Sequence, residues 1–304
     1  MAWNGGGTAM LAVLGDPGVN NDVAQRARRI FERRGQRSLS VAHGDHGYFF
    51  EDHHCGRFNE NTGFNEFLQA LRVAPGRDLT TYDESGSWFM TKWIYELVRY
   101  GGELQSLQRA MYARDFGRTG MSSSTGDFAQ GFGLCPDAHK PAVLWFANRL
   151  LDPAGTQRYD SMNYPHRGVY AFVNWPVGLP ERNPAEVLPR FLYDQRANYV
   201  VVRSGWQGNS DIVLTMRHGE GMATGAGLSQ TRFAAFKGPA KSVAASADGL
   251  LITIVGSEDV TLVDLTGKSV APLKIGAEGN ADAQKLKVGN QTYSHDGQVI
   301  LAGQ

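Results

Sequence analysis

The stretch Gly44-Asp45-His46-Gly47-Tyr48-Phe49-Phe50-Glu51-Asp52-His53-His54-Cys55-Gly56-Arg57-Phe58-Asn59-Glu60-Asn61-Thr62-Gly63 concentrates side chains that move protons and grip anions. His46, His53 and His54 lie in it and His43 adjoins it. An unperturbed imidazole titrates at about pH 6.5, so each ring can serve as base or cation near neutrality. No helical or strand period runs through the stretch, which predicts a loop, and polar loops on a rigid scaffold commonly carry chemistry. His53 and His54 are adjacent and should point different ways, leaving one for function and one for structure. Zinc chemistry is not expected: His43, His46, Asp52 and His53 lack a His-x-x-x-His spacing, and Cys55 has no CxxC partner. There is no Walker loop, no GxGxxG after a strand and no GxSxG. The Gly- and Ser-rich segment from Gly117 to Gly133 lacks the Gly-Lys-Ser/Thr ending that holds phosphates.

The elements that must position this loop differ between the two halves of the chain. Asp22 to Arg34 has helical spacing, with Asp22 as N-cap, Val23, Ala27, Ile30 and Phe31 on one face and Gly35 as a stop. Phe64 to Val73 places Phe64, Phe67, Leu68 and Leu71 together and ends at Pro75-Gly76. Ser87 to Tyr100 predicts a third helix, stopped by Gly101-Gly102, and Pro141 to Leu151 a fourth, with Pro141 suited to a first turn. Long polar loops separate them, as in a helical array or toroid. Beyond the proline-rich connection from Asn174 to Pro189, short β-branched runs take over. They are Tyr199–Arg203, Asp211–Met216, Leu250–Val255 and Val260–Val263, separated by turn residues. Helices followed by strands predict two domains in sequence.

Bulk properties exclude several classes. The 304 residues suffice for one large domain or two ordinary ones with real cores. The formal net charge is +0 and no run of five or six like charges occurs, which argues against a nucleic-acid or membrane-surface partner. No apolar stretch reaches membrane-spanning length, and the N-terminus lacks the pattern of a signal peptide. Met1 to Leu14 leads directly into an apolar segment, which predicts a processed, truncated or short form of something longer. Cys55 and Cys135 are the only cysteines; one bridge is possible and a disulfide framework is excluded.

Four stretches in this order resemble the heparinase II/III-like and alginate-lyase-like polysaccharide lyases. The loop from Gly44 to Gly63 with Phe67-Leu68 resembles the aromatic-and-His loop of toroid lyases. Tyr112-Ala113-Arg114-Asp115-Phe116-Gly117-Arg118 resembles their Tyr/Arg segment. Tyr164-Pro165-His166-Arg167-Gly168-Val169-Tyr170 leads towards a sandwich. Tyr199 to Trp206, followed by an apolar strand and His218-Gly219, looks like the first strands of the heparinase II/III-like domain.

The resemblance implies an α+β multidomain chain, with a partial (α/α) toroid over 1–190 and an antiparallel β-sandwich over 191–304. It implies lyase cleavage of a uronate-containing glycan by β-elimination, in a His/Tyr/Arg site in the cleft between toroid and sandwich. His53 or His54 would be the base or hold the uronate. Tyr112 would deprotonate C5 or, as the preferred role, protonate the leaving oxygen, with Arg114 or Arg118 lowering its pKa or pairing with the carboxylate through a planar fork. Asn61, Asp127, Gln130, Tyr164, His166, Arg167, Trp206 and His218 would contact substrate. The expected partner is an acidic polysaccharide, with no nucleic acid, membrane or cofactor. The resemblance also suggests a secreted or periplasmic setting.

Two departures from the family pattern matter. Family sandwiches often carry a His-x-His-x-Asp run linked to a structural metal; here His218-Gly219-Glu220-Gly221-Met222-Ala223 has one histidine, so no metal is expected. The helical part is also short for a toroid. A non-catalytic glycan-binding relative and an (α/α)-toroid glycoside hydrolase are therefore the alternatives. The hydrolase would need two facing carboxylates, and no spacing among Asp45, Glu51, Asp52 and Asp127 singles out a pair.

Overall fold

The computed structural model describes residues 2–48, 64–100, 103–106, 128–156, 158–159, 165–206 and 211–217, together with strands between 220 and 302. Beyond residue 216, and at residues 2–4, 99–100, 103–106, 165–167 and 212, only the backbone is described. The chain forms two units. The first comprises residues Met1–Ile94 and Met111–Leu188, the second Tyr95–Ala110 and Pro189–Gln304.

The first unit is helical. α1 (Ala2–Ala12) contains Gly5, Gly6 and Gly7, which weaken a helix in isolation. Their value is close approach: a Cβ on Gly7 would stand 2.6 Å from the Phe67 ring and 3.2 Å from that of Phe31. α2 (Asn21–Arg37) is capped by Asn20, whose side chain accepts from the Val23 amide, and not by Asp22. Its buried positions are Ala24, Glu32 and Gly35; of the predicted apolar face, Phe31 packs on Phe67, while Val23 and Ile30 are 61% and 46% exposed. Gly35 is not a stop either. It lies within the helix because a Cβ there would meet Leu79 at 2.9 Å, and the chain continues through a wide π turn, Ser38–Ala42.

α3 (Phe64–Val73) buries Phe64, Phe67, Leu68 and Leu71, the face its spacing predicts. α3 also pins the short 3-10 turn Gln130–Gly133: Gln69 Nε2 donates to the Gln130 carbonyl at 2.9 Å and Arg72 Nη1 to that of Gly133 at 2.6 Å. α4 (Phe89–Glu96) follows a 3-10 turn, Glu84–Trp88. α5 (Lys140–Phe146) has Pro141 in its first turn and runs into a π turn, Ala147–Leu151. α6 (Pro165–Asn174) and the short α7 (Pro184–Val187) complete the described part of the unit. No described helix is long and apolar enough to cross a membrane.

The second unit is antiparallel β structure. The predicted Ser87–Tyr100 helix ends at Glu96. Residues Leu97–Tyr100 form β1, paired with β2 (Glu103–Ser106) in a register that leaves Gly101-Gly102 as connection. Val98 and Tyr100 favour a strand, and Gly-Gly suits a two-residue hairpin turn better than a helix stop. A five-stranded meander follows: β3 (Phe191–Asp194), β4 (Tyr199–Arg203), β5 (Ile212–Arg217), β6 (Glu220–Gly225) and β7 (Leu228–Ala234). β8 (Ser242–Ala245), β9 (Leu251–Val255), β10 (Asp259–Asp264) and β11 (Leu273–Gly276) form a four-stranded sheet. A three-stranded sheet of β12 (Lys285–Val288), β13 (Gln291–His295) and β14 (Ile300–Ala302) ends the chain.

Every side chain of β4 is buried, including Arg203, which links the meander to the hairpin. Its Nη1 donates to the carbonyls of Tyr95 and Leu97, Nε to that of Gly205, and Nη2 pairs with Asp211 at 3.2 Å. Burial lowers the Arg203 pKa to about 10, with Asp211 opposing, so the guanidinium stays charged at neutrality.

Candidate functional site

The described start of the histidine loop is a tight turn. The Gly44 amide donates to the Tyr48 carbonyl at 2.6 Å and Gly47 to Gly44 at 3.1 Å, with Gly47 at φ +78°. A side chain at Gly47 would be strained by that φ and would also meet the Ser85 carbonyl oxygen at 2.9 Å. The turn separates its two histidines. His43 is 1% exposed, donates from Nδ1 to the Ser38 carbonyl at 2.8 Å, and packs between Phe64 and Phe89. It is a core residue. His46 is half-buried, with its ring centroid 4.5 Å from Trp88 in an edge arrangement.

Trp88 carries a second histidine, His139, 4.8 Å away. His139 sits just before α5, and its Nδ1 lies 3.1 Å from the hydroxyl of buried Thr91. Burial pulls the pKa of both imidazoles down. Asp45 and Glu84 oppose this at His46, while His46 adds to it at His139. The 3.8 Å approach of Asp45 to His46 is therefore not an ion pair near neutrality, because the ring is neutral there. Two neutral imidazoles flanking one indole can accept protons; they cannot neutralise an anion. Thr91 also hydrogen-bonds the free thiol of Cys135, whose pKa burial pushes up to about 12, so that thiol is inert as a nucleophile.

A second polar feature of this unit is a pocket of about 490 Å³ lined by Asn148, Arg149, Asp152, Pro153, Ala154, Gly155, Arg158 and Glu181. That volume suits a small ligand. Arg158 lies over the Trp175 ring at 4.3 Å, and its Nη2 donates to Asn148 Oδ1 at 3.2 Å. Asn148 Nδ2 donates to Glu181 Oε1 at 2.6 Å, and Arg149 Nε pairs with Oε2 at 3.4 Å. Arg158 Nε is buried without a hydrogen-bond partner. The π turn after α5 places Asn148 and Arg149 together, and Asn183 caps α7 just beyond Glu181.

Most residues expected to act lie outside the described set. His53, His54, Asn61, Tyr112, Arg114, Arg118, Asp127, Tyr164 and His218 fall there, and His166 and Arg167 contribute only backbone to α6. Two expectations are corrected. Gln130 is fully buried, its carbonyl bound by Gln69 and Asn174, and it has no surface for a sugar hydroxyl. Trp206 is 2% exposed, packed on Arg203 at 4.2 Å and on Tyr95 at 5.2 Å, so its faces cannot stack on a sugar. Trp175 packs on Phe132, Tyr159 and Arg158.

Sequence reasoning missed Trp88, His139, Asn148, Arg158 and Glu181. Pro141 in a first turn was the available signal for His139, since residues just before a helix start are held at its end. Compared with known protein families, curated proteins and solved structures, the chain matches none.

Proposed function

We propose that the protein is a polysaccharide lyase that cleaves a uronate-containing glycan by β-elimination. What carries the reading is the order of elements along the chain. A helical unit bears the histidine loop, and an antiparallel meander follows with Tyr199–Arg203 as its second strand. The motifs that resemble the lyases fall in that order, and a partial toroid followed by a sandwich is the fold we propose with them. The neutral His46 at the loop's start is in keeping with proton chemistry there.

The step removes the proton at C5 of the uronate and breaks the C4–O bond, leaving a C4=C5 double bond and a free hydroxyl on the departing sugar. His53 or His54 takes the proton, Tyr112 returns one to the leaving oxygen, and Arg114 or Arg118 holds the carboxylate while charge builds on it. The test is the ultraviolet absorbance of the unsaturated product on a panel of alginate and heparin-like glycans. The wild type should produce it and Tyr112→Phe should lose it. No absorbance on any member of the panel would end the proposal.

Glycan binding without cleavage is the second reading, favoured by the Asn148–Glu181 pocket. Its mixed carboxylates, amide and guanidinium suit sugar hydroxyls. Retention of a glycan with no product formed would support it.

A further inference from the structure

The outer face of α2 carries a row of arginines that no interaction among the described residues explains. Arg26, Arg29, Arg33 and Arg37 are all exposed. At about 100° per residue they fall within an arc of about 80°, and at 1.5 Å per residue they extend over about 16 Å. The opposite face, with Ala24, Glu32 and Gly35, is the buried one, so packing fixes the row outward. Arg28 has a partner, Glu32, at 3.6 Å. Among the described residues, none of the four outer arginines has a carboxylate within ion-pair distance.

Four aligned like charges repel one another and weaken the helix that carries them. Arginine also brings a planar fork that grips carboxylates or sulfates through two hydrogen bonds, which a solubilising lysine would not. We infer that this face of α2 is a docking strip for an extended acidic polysaccharide, engaging successive carboxylate or sulfate groups along one chain.

Charge complementarity selects an anionic partner, and shape narrows it. No aromatic side chain lies on the exposed arc to stack on bases, as strips that grip single-stranded nucleic acids use. The helix cannot settle into a membrane surface, because its remaining apolar face is already covered by α1 and by the Phe67 ring, with only Val23 and Ile30 exposed. The choice of a glycan over other polyanions rests on the lyase reading; the arginine row does not.

The experiment measures binding of the full chain to unsulfated polyuronate, sulfated heparin, duplex DNA and phosphatidylserine vesicles, at several salt concentrations. The R26Q/R29Q/R33Q/R37Q variant keeps good helix formers, and circular dichroism checks its fold. It should bind glycan about tenfold more weakly at low salt, with a shallower salt dependence. R28Q should stay within about twofold, being off the strip. Replacing the same four by lysine should restore the charge-driven part alone. Equal glycan binding by wild type and the quadruple glutamine variant overturns the inference, as does tighter binding to DNA or vesicles than to either glycan. Product absorbance is recorded in the same samples. Arginine-dependent binding without product removes the lyase reading and leaves the strip standing; product formation unaffected by the four substitutions, with unchanged binding, does the reverse.

Discussion

Each unit holds an arginine laid on a tryptophan at nearly the same distance, 4.2 Å for Arg203 on Trp206 and 4.3 Å for Arg158 on Trp175. Everything around the two pairs differs. Arg203 is fully buried, three carbonyls and Asp211 take up its donors, and the tryptophan beneath is closed off. Arg158 is only part-buried, holds one neutral partner among the described residues, Asn148, and borders a pocket. Stacking alone thus says nothing about role. What separates a structural cation from one able to meet a ligand is how many of its donors the protein has already used.

The contrast is open to direct test. R203A should be the most damaging change, costing about 3–5 kcal/mol in urea unfolding, because Asp211 and three carbonyls lose a buried partner. A loss below about 1 kcal/mol would mean that the site is not closed. D211N comes next, at about 2 kcal/mol, since it leaves the guanidinium buried without a countercharge. R158A should cost about 1 kcal/mol of stability, from one hydrogen bond and one partly exposed cation–π contact. Glycan retention by that variant, read on an affinity column, should fall more clearly than its stability.

The smallest effect is on pH dependence. His46 and His139 have folded pKa values below the ordinary 6.5, so the unfolded chain binds more protons as pH drops. Their contribution to stability is fully present above about pH 6.5 and is lost progressively as pH falls towards the folded values. Unfolding midpoints of H46N should show a flatter slope below pH 6.5 than the wild type. The Arg203 site should be silent there, because its arginine stays protonated in both states below about pH 10.

How far the sequence could be read depended on distance along the chain. The Phe64–Leu71 spacing and the β-branched run of Tyr199–Arg203 are local patterns, and both lie on a helix and a strand as expected. The buried face of α2 departs in part from the apolar spacing: Val23 and Ile30 are apolar by type yet exposed, whereas a small residue, Gly35, makes the close contact. The arginine strip is invisible to charge spacing along the chain, because its members adjoin only around the helix. Trp88 with His139, and Asn148 with Glu181, are pairs brought together only by tertiary structure, and no spacing rule anticipates them.

The hairpin of β1 and β2 has a consequence for how the molecule is made. The carbonyls of Tyr95 and Leu97 are synthesised more than a hundred residues before Arg203, their partner. Until β4 leaves the ribosome, that hairpin has no meander to join, and closing so long a loop is slow. The second unit therefore cannot mature by simple succession after the first. A chain interrupted between Leu188 and Pro189 would separate Arg203 from the carbonyls it was built to meet, so two fragments expressed apart should need each other to fold.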